Sequence, residues 1–342
     1  MTRPNIVVIM ADQLAPQFAG AYGHGVAKTP HLDALAARGM RFDAANCNAP
    51  LCAPSRFAFM SGQLISRIAA WDNASEFKAS IPTFAHYMKS LGYRTCLPGK
   101  MHFFGPDQMH GFQDRVTTDI YPADFAWTPD WEAPDERIDK WYHNMQTVKE
   151  SGVAMATYQI DYDDEVGFAA NRWLMDRARD RADGIDDPFL MVASFIHPHD
   201  PYVARPEWWD LYDDADSDMP AFVPPLEDLD PFSRRVMDGI KASYVPLSTA
   251  QVRRARRAYL ANDPAHANTR DAFAAEVTLR WDSAALRSNI IATQKSRRAL
   301  LAAMEAGASE PWDYNPPSNA SQKYVRNHMD WTVAATRYRY PH

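Results

Sequence analysis

The chain has 342 residues, with 36 Lys and Arg against 43 Asp and Glu, which gives a formal net charge of −7. This balance excludes a generally basic nucleic-acid-binding protein, because no excess positive charge is available to neutralise phosphates. Apolar runs stay short of the ~20 residues of a membrane span, no export signal is visible at the N-terminus, and the three cysteines have neither disulfide-scaffold nor zinc-ligand spacing. We expect a soluble, cytoplasmic protein of one large domain or two small ones.

The first half of the chain predicts alternating strands and helices. Residues 5–10 form a short, β-branched apolar run that is typical of a buried parallel strand. Thr29 and Pro30 predict the start of a helix that ends at Gly39. The other elements predicted here are a short strand at 40–42, a helix that begins near Pro54, a helix over 81–91 and a strand over 93–97.

The second half predicts more helix than strand. Residues 189–195 predict a buried strand, whereas 105–160 and 200–235 lack a clear period and are interpreted as loop. Helices are predicted over 161–178, 250–261 and 268–306. No convincing strand follows residue 200, so the predicted α/β fold has few strands for its length.

Polar side chains follow each of the three long predicted strands. Asp12 and Gln13 follow the first, Lys100 and His102 the second, and His197 and His199 the third. Ligands of open α/β sheets bind at the carboxyl ends of the strands, so we expect a site there.

Cys52 to Arg56, with the sequence CAPSR, is the sharpest signal in the chain. A cysteine at the start of a helix, four residues before an arginine, favours a thiolate or a bound anion. A small buried cysteine that packs as an apolar side chain is an equally good interpretation of this spacing alone.

These residues, with Met60 to Gly62 and Thr29 to Leu35, resemble the signature of the type I sulfatases of the alkaline-phosphatase-like superfamily. The resemblance implies a central, mostly parallel sheet flanked by helices, here incomplete, with a helical C-terminal extension. It also implies that cellular formylglycine-generating machinery oxidises Cys52 to formylglycine. One oxygen of the hydrated aldehyde would attack sulfur, and the other would expel the sulfate.

The resemblance also implies a divalent cation, which activates the nucleophile and neutralises charge. Asp12 matches the first metal ligand of the family, Gln13 occupies the neighbouring position, and modified Cys52 completes the set that we can assign. Ca²⁺ is the expected ion, with Mg²⁺ and Mn²⁺ as alternatives. Arg56 would hold the formylglycine and the sulfate oxygens.

Two further blocks carry implied catalytic residues. The segment GKMH resembles a family block in which Lys100 and His102 contact the sulfate and the nucleophile. The segment HPHDPY resembles another, in which His199 binds a sulfate oxygen or protonates the leaving alkoxide. His197 is interpreted either as a substrate contact or as a structural histidine.

Several blocks resemble bacterial choline-sulfatases in particular, among them residues 119–125, 141–144, 197–205 and 324–329. This resemblance implies choline-O-sulfate as the substrate and a homo-oligomer as the assembly. The positions used around choline correspond to Asn73, Trp127 and His143. Asp330 in the C-terminal tail is the fourth, and its alignment with the acidic position of the family stays open. Aromatic faces and a carboxylate suit a quaternary ammonium ion.

The resemblance breaks between Ala261 and Asp263, where relatives continue into further strands and an Asp-His-Gly metal loop. We therefore predict residues 1–262 as the N-terminal part of a sulfatase catalytic domain, and 263–342 as a helical C-terminal region and tail. No Asp-His-Gly segment occurs in the second part. Because a calcium site needs about 6–8 oxygen ligands, we expect weak metal affinity and low or no turnover. A phosphonate or phosphate monoester hydrolase and a catalytically inactive remnant are the alternatives.

Overall fold

The computed structural model describes residues 3–121, 123–125, 128, 132, 145–213, 219–220, 222–240 and 242–262. Its strands are β1 (Ile6–Ala11), β2 (Arg94–Leu97), β3 (Asp114–Arg115), β4 (Gly152–Val153), β5 (Phe189–Phe195) and β6 (Val203–Ala204). Its named helices are α1 (Pro30–Arg38), α2 (Cys52–Ser61), α3 (Ile65–Ile68), α4 (Phe84–Ser90), α5 (Gln146–Lys149), α6 (Tyr158–Ala182), α7 (Pro206–Trp209) and α8 (Pro231–Gly239). A further helix covers residues 249–262. Short 3₁₀ turns lie at Pro16–Phe18, Gly20–Tyr22, Leu226–Asp228 and Ala242–Tyr244.

The main sheet has four parallel strands in the order β1-β5-β2-β3. All seven residues of the central strand β5 are buried, which explains why its sequence is a continuous apolar run rather than an alternating one. The predicted α/β class with a mostly parallel sheet is therefore confirmed. A second, two-stranded parallel sheet joins β4 and β6.

An aromatic core lies between this sheet and α2. The ring of Phe57 stacks on that of Phe77 at 4.6 Å, and both lie within 6.3 Å of the ring of Phe103. All three side chains are buried, together with Leu190 and Val192 of β5. Their burial fixes α2 against the sheet, and with it the position of the first residue of that helix.

Strands β1, β2 and β5 end at the same edge of the sheet, and their polar loops meet there. The N–H of Asp12 donates to the carbonyl of Phe195 at 3.2 Å, and that of Lys100 donates to the carbonyl of Ser194 at 2.9 Å. Gly99 makes this approach possible: its φ is +99°, and a Cβ there would lie 1.9 Å from the Ser194 oxygen.

Most predicted boundaries differ from the structure by a few residues. Helix α4 begins at Phe84 rather than 81, because Thr83 and His86 form a capping box at its start. Helix α6 is longer than the predicted 161–178. Thr29 occupies the predicted N-cap position of α1, but its hydroxyl accepts from the N–H of Gly20 and donates to Asp33 instead of capping the helix.

Predictions of secondary structure are wrong in three places. The segments 105–160 and 200–235, interpreted as loop, contain α5, α7 and the beginnings of α6 and α8. Residues 40–42 form no strand; the side chain of Arg41 donates to the carbonyl of Ala21 and to Asp43, so this segment is fixed by side-chain contacts instead of a strand ladder. A strand does follow residue 200, since β6 pairs with β4. It is only two residues long, too short to give a sequence period. The predicted helix over 268–306 lies outside the described residues.

The chain divides into two compact units. The first comprises the described residues before 175 and those from 187 to 262, and it contains both sheets. The described part of the second unit is 175–186, the end of α6 and the turn after it, where ion pairs join Arg177 to Asp180 and Arg179 to Asp176. Among the described residues, no helix combines the length and apolar character needed to cross a bilayer.

Candidate active site

Cys52 is the first residue of α2 and lies at the carboxyl edge of the sheet. The preceding residue, Leu51, has no side chain that can cap the helix. The amide oxygen of Asn73 takes this place and accepts from the N–H of Ala53 at 3.0 Å. Cys52 therefore sits at the positive end of a helix whose start is fixed by a residue from another segment.

Asp12 is buried beside the sulfur and between two cations. Both of its carboxylate oxygens lie 3.8 Å from Cys52 Sγ. Its Oδ2 contacts Lys100 Nζ, and its Oδ1 is 3.5 Å from Arg56 Nη2. Burial favours the neutral acid, but Lys100 and Arg56 outweigh it and hold the pKa of Asp12 well below the ordinary value. Asp12 is thus an anion at neutral pH.

Arg56 is one turn along α2 from Cys52 and is almost fully buried. Its Nη1 donates to the carbonyl of Lys100 and to the hydroxyl of Ser194, each at 2.8 Å. These bonds fix the plane of the guanidinium, whose Nη2 side faces Asp12.

Lys100 is fully buried. Its ammonium lies 4.5 Å from the centre of the Tyr121 ring and 3.4 Å from the Tyr121 hydroxyl. Burial opposes its charge, but Asp12, Tyr121 and Cys52 together raise the pKa of Lys100 above the ordinary value. Burial raises the pKa of Cys52, so the unmodified sulfur is a thiol at neutral pH.

His199 completes the group around the sulfur. A nitrogen of its ring, Cys52 Sγ and a carboxylate oxygen of Asp12 all lie within 4.8 Å of one another. Its Nδ1 donates to the carbonyl of Asp200 at 2.8 Å, so Nε2 carries the lone pair of the neutral ring. Burial and the nearby Lys100 lower the pKa of His199.

His102 is buried on the loop after β2, two residues beyond Lys100. Its Nε2 donates to the carbonyl of Asn73 at 3.1 Å, and its ring is 4.6 Å from that of Tyr121. Burial, with a contribution from Lys100, lowers the pKa of His102 to about 3, so the ring is neutral. Asp119 fixes the loop by accepting from the N–H groups of Met101 and His102, at 2.8 and 2.7 Å.

His197 and Gln13 point away from this group. His197 is buried, and its Nδ1 lies 3.0 Å from Asp163 on α6, an arrangement that serves structure. Gln13 is exposed, and its side-chain nitrogen is 3.5 Å from the Tyr202 hydroxyl. The structure thus brings together Asp12, Cys52, Arg56, Lys100 and His199. The remaining predicted contacts, Trp127, His143 and Asp330, lie outside the described residues.

Sequence reasoning missed four residues that hold the site in place. Ser194 fixes Arg56, Tyr121 contacts Lys100, and Asp119 and Asp163 anchor the loops that carry His102 and His199. Ser194 is a polar residue near the end of an apolar strand, which is a usable signal. Asp119 begins the block 119–125 that resembles bacterial choline-sulfatases, which is also a usable signal, whereas Asp163 lies in a predicted helix with nothing to mark it.

Comparisons with known proteins identify the family. The family model described as "Sulfatase" matches residues 4–262, and the model described as "Choline sulfatase enzyme C terminal" matches residues 288–340. The chain belongs to the sulfatase family. The first match ends at the position where the sequence resemblance was expected to break.

Relatives and solved structures agree with this assignment. A choline-sulfatase of Rhizobium meliloti (strain 1021) is 49% identical over 261 residues, which cover 76% of this chain and 51% of that protein. The phosphonate monoester hydrolase of Silicibacter pomeroyi has a TM-score of 0.57 at 20% identity, covering 81% of this chain and 59% of that one. The corresponding enzyme of Agrobacterium radiobacter has a TM-score of 0.55 at 20% identity, covering 83% and 60%. These structures establish a shared fold.

This sulfatase spans about half the length of the curated relatives that it matches. The family implies a divalent metal, and Asp12, Cys52 and His199 are the described residues close enough to share one. A calcium ion requires about 6–8 oxygen ligands. This group of described residues supplies a single carboxylate, far fewer oxygen ligands than calcium takes, and therefore does not make a calcium site.

Proposed function

We propose that this sulfatase hydrolyses choline-O-sulfate to choline and sulfate through a nucleophile formed at Cys52. The observation that carries the proposal is the pair of buried cations, Lys100 and Arg56, on a single carboxylate beside the sulfur. With both histidines neutral, the group has a net charge of +1. That charge complements the single negative charge of a sulfate monoester in a site shielded from water.

Each residue has a proposed task. Formylglycine, once formed from Cys52, supplies a hydrated aldehyde whose oxygen attacks sulfur. Lys100 and Arg56 neutralise the sulfate oxygens as charge develops on them, and their rigid contacts mean that little reorganisation is needed. His199, whose Nε2 carries the lone pair of the neutral ring, receives or returns the proton that moves with the leaving alkoxide. His102 and Asn73 support the loop and the helix that carry these groups.

The choline part of the substrate is supported by the similarity to the Rhizobium enzyme and by the match to the choline-sulfatase C-terminal family. Asn73, Trp127, His143 and Asp330 are the proposed contacts of the choline half, and His197 supports the loop. Maturation of Cys52, a weakly bound divalent cation with Ca²⁺ as the expected ion, a homo-oligomer and a cytoplasmic location stay predictions from the resemblance. To act as the proposed metal ligand, Gln13 has to turn its side chain away from the Tyr202 hydroxyl.

The test compares three substrates on chain whose Cys52 is confirmed as formylglycine by peptide mass spectrometry. Choline-O-sulfate, an aryl sulfate and an aryl phosphonate are assayed with calcium and with a chelator. We expect slow turnover that is fastest for choline-O-sulfate and is little increased by calcium.

Each alternative has its own outcome. Preference for the aryl phosphonate would replace the proposal by a phosphonate monoester hydrolase. No turnover of any substrate by fully modified chain would identify an inactive remnant. A Cys47→Ala chain is the matched control, because Cys47 is exposed and lies outside the site.

A further inference from the structure

The sulfur of Cys52, the carboxylate of Asp12 and the ring of His199 have the spacing of ligands around one small cation. Zn–S and Zn–O bonds of about 2.3 and 2.1 Å at a tetrahedral angle place the two ligand atoms about 3.6 Å apart. The observed separation between Cys52 Sγ and each Asp12 oxygen is 3.8 Å. The ring nitrogen of His199 lies within 4.8 Å of both groups. Small side-chain movements would therefore bring all three atoms to bonding distance.

His199 is oriented as metal-bound histidines usually are. Its Nδ1 donates to the Asp200 carbonyl at 2.8 Å and lies 3.1 Å from the Asp200 carboxylate. A hydrogen bond of this kind fixes the tautomer and leaves Nε2 as the ligand atom. Asp200 itself comes directly after His199 in the chain, so this orientation is built into the loop.

The donor set differs from that of a calcium site. One sulfur, one imidazole nitrogen and one carboxylate oxygen form a set that soft and borderline cations prefer, and three protein ligands leave a fourth position open. We propose that the unmodified form of this chain binds a thiophilic divalent cation of the Zn²⁺ class through Cys52 Sγ, His199 Nε2 and Asp12. On binding, the Cys52 S–H bond breaks, its proton goes to solvent, and a sulfur–metal bond forms without any change of oxidation state.

Lys100 and Arg56 oppose this cation, since both carry positive charge and both pair with Asp12. Binding therefore requires Lys100 to yield part of its contact with the carboxylate. This repulsion can be tested by substitution. The Lys100→Met chain is expected to bind zinc at least about tenfold more tightly than the unsubstituted chain, because a unit positive charge a few ångströms from the ion is removed. An interaction of zinc with surface groups would not respond to this buried residue.

The proposal does not depend on which ester the modified enzyme hydrolyses. It concerns the thiol form alone, because conversion of Cys52 to formylglycine removes the sulfur. The two forms of one residue would thus select different cations. Cys52 is partly exposed, so a reagent in solvent can report on its state.

The experiment measures the alkylation rate of each cysteine by iodoacetamide on full-length chain with a verified Cys52 thiol. Zinc is expected to slow alkylation of Cys52 at least tenfold, whereas calcium leaves it unchanged and the exposed Cys47 reacts equally in all samples. His199→Ala is expected to lose the protection, and His31→Ala, at an exposed position, to keep it. Equal rates with and without zinc, equal protection by calcium, or protection that survives His199→Ala would overturn the proposal.

A second measurement needs no substitution. Cobalt(II) added to the unmodified chain is expected to give a thiolate-to-cobalt charge-transfer absorption at one equivalent. The formylglycine chain and the Cys52→Ala chain are expected to lack it. A missing band in the thiol form, or the same band in the modified chain, would contradict the assignment of Cys52 as a ligand.

Discussion

At the scale of single residues, the buried ion pair between Lys100 and Asp12 is the closer of the two ion pairs that Asp12 makes in the site. Lys100 is fully buried, and Asp12 is nearly so. Because buried charges are costly unless they are paired, each residue depends on the other to stay ionised inside the protein. The pair thus holds positive charge at the sulfur even before a substrate arrives.

Replacing Lys100 by methionine tests this dependence. The change leaves Asp12 buried with Arg56 as its remaining partner, at 3.5 Å. We expect the free energy of unfolding to fall by about 3 kcal/mol or more in denaturant titrations. The exposed Lys89→Met is the control and is expected to change it by less than about 0.5 kcal/mol. A Lys100→Met chain as stable as the control would contradict this account of the pair.

His110 gives a prediction about acid stability that is separate from the active site. Its ring is buried between Phe77 and Phe103, at 4.5 and 4.3 Å, and burial lowers the pKa of His110 to about 4. Below a pH of about 6.5 the unfolded chain therefore binds a proton that the folded chain does not. The contribution of His110 to the free energy of unfolding is complete above this pH. As the pH falls toward 4, this contribution is lost by about 1.4 kcal/mol per pH unit.

The His110→Asn chain should show a smaller loss over this range, since asparagine does not titrate and tolerates the positive φ of 39° at this position. The loss of the ring changes the free energy of unfolding by the same amount at every pH. The quantity to compare is therefore the slope of the free energy of unfolding against pH, between pH 6 and pH 4. Thermal or denaturant unfolding at several pH values measures it. Parallel slopes for the two chains would refute the assignment.

At the scale of elements, Asn73 links two parts of the site. Its side chain accepts from Ala53 at the start of α2, and its carbonyl accepts from His102. The resemblance predicted Asn73 as a choline contact but not as a helix cap, because Asn73 lies 20 positions from the Ala53 N–H that it accepts from. N-cap patterns in sequence are local, so they cannot reveal a cap supplied by another segment.

Asn73→Ala should therefore destabilise the chain by about 1 kcal/mol through loss of this cap. Asn73→Asp keeps the acceptor oxygen and should recover most of that loss. The exposed Asn46→Ala is the control, and denaturant unfolding gives all three values. If Asn73→Ala were as stable as the control, the contact to Ala53 would have no capping role.

The elements that the sequence predicted well share a physical cause. β5 is buried over its whole length, and β1, which pairs with it, is partly buried on both faces, so their apolar runs are continuous and easily recognised. The candidate site residues after these strands were located because ligands of open α/β sheets bind at the carboxyl ends of the strands and because the CAPSR segment is distinctive. Tyr121, Asp119 and Asp163 act through contacts between distant segments, and no local pattern encodes such contacts.

At the scale of the whole molecule, the comparisons show a sulfatase, and its described part carries the proposed nucleophile, Cys52, beside two buried cations. The parallel sheet brings together loops that are far apart in the chain, from Asp12 to His199. The sheet order and the pairing of β4 with β6 could not be predicted, because two-residue strands leave no pattern. The predicted C-terminal helices and tail stay predictions.

The most direct test relates choline-O-sulfate turnover to the chemical state of Cys52. Samples with different fractions of formylglycine, measured by peptide mass spectrometry, are assayed beside Cys52→Ala and Cys47→Ala chains. We expect slow turnover that rises in proportion to the formylglycine fraction, vanishes in Cys52→Ala and is unchanged in Cys47→Ala. Turnover that persists in Cys52→Ala, or none from fully modified chain, would contradict this expectation.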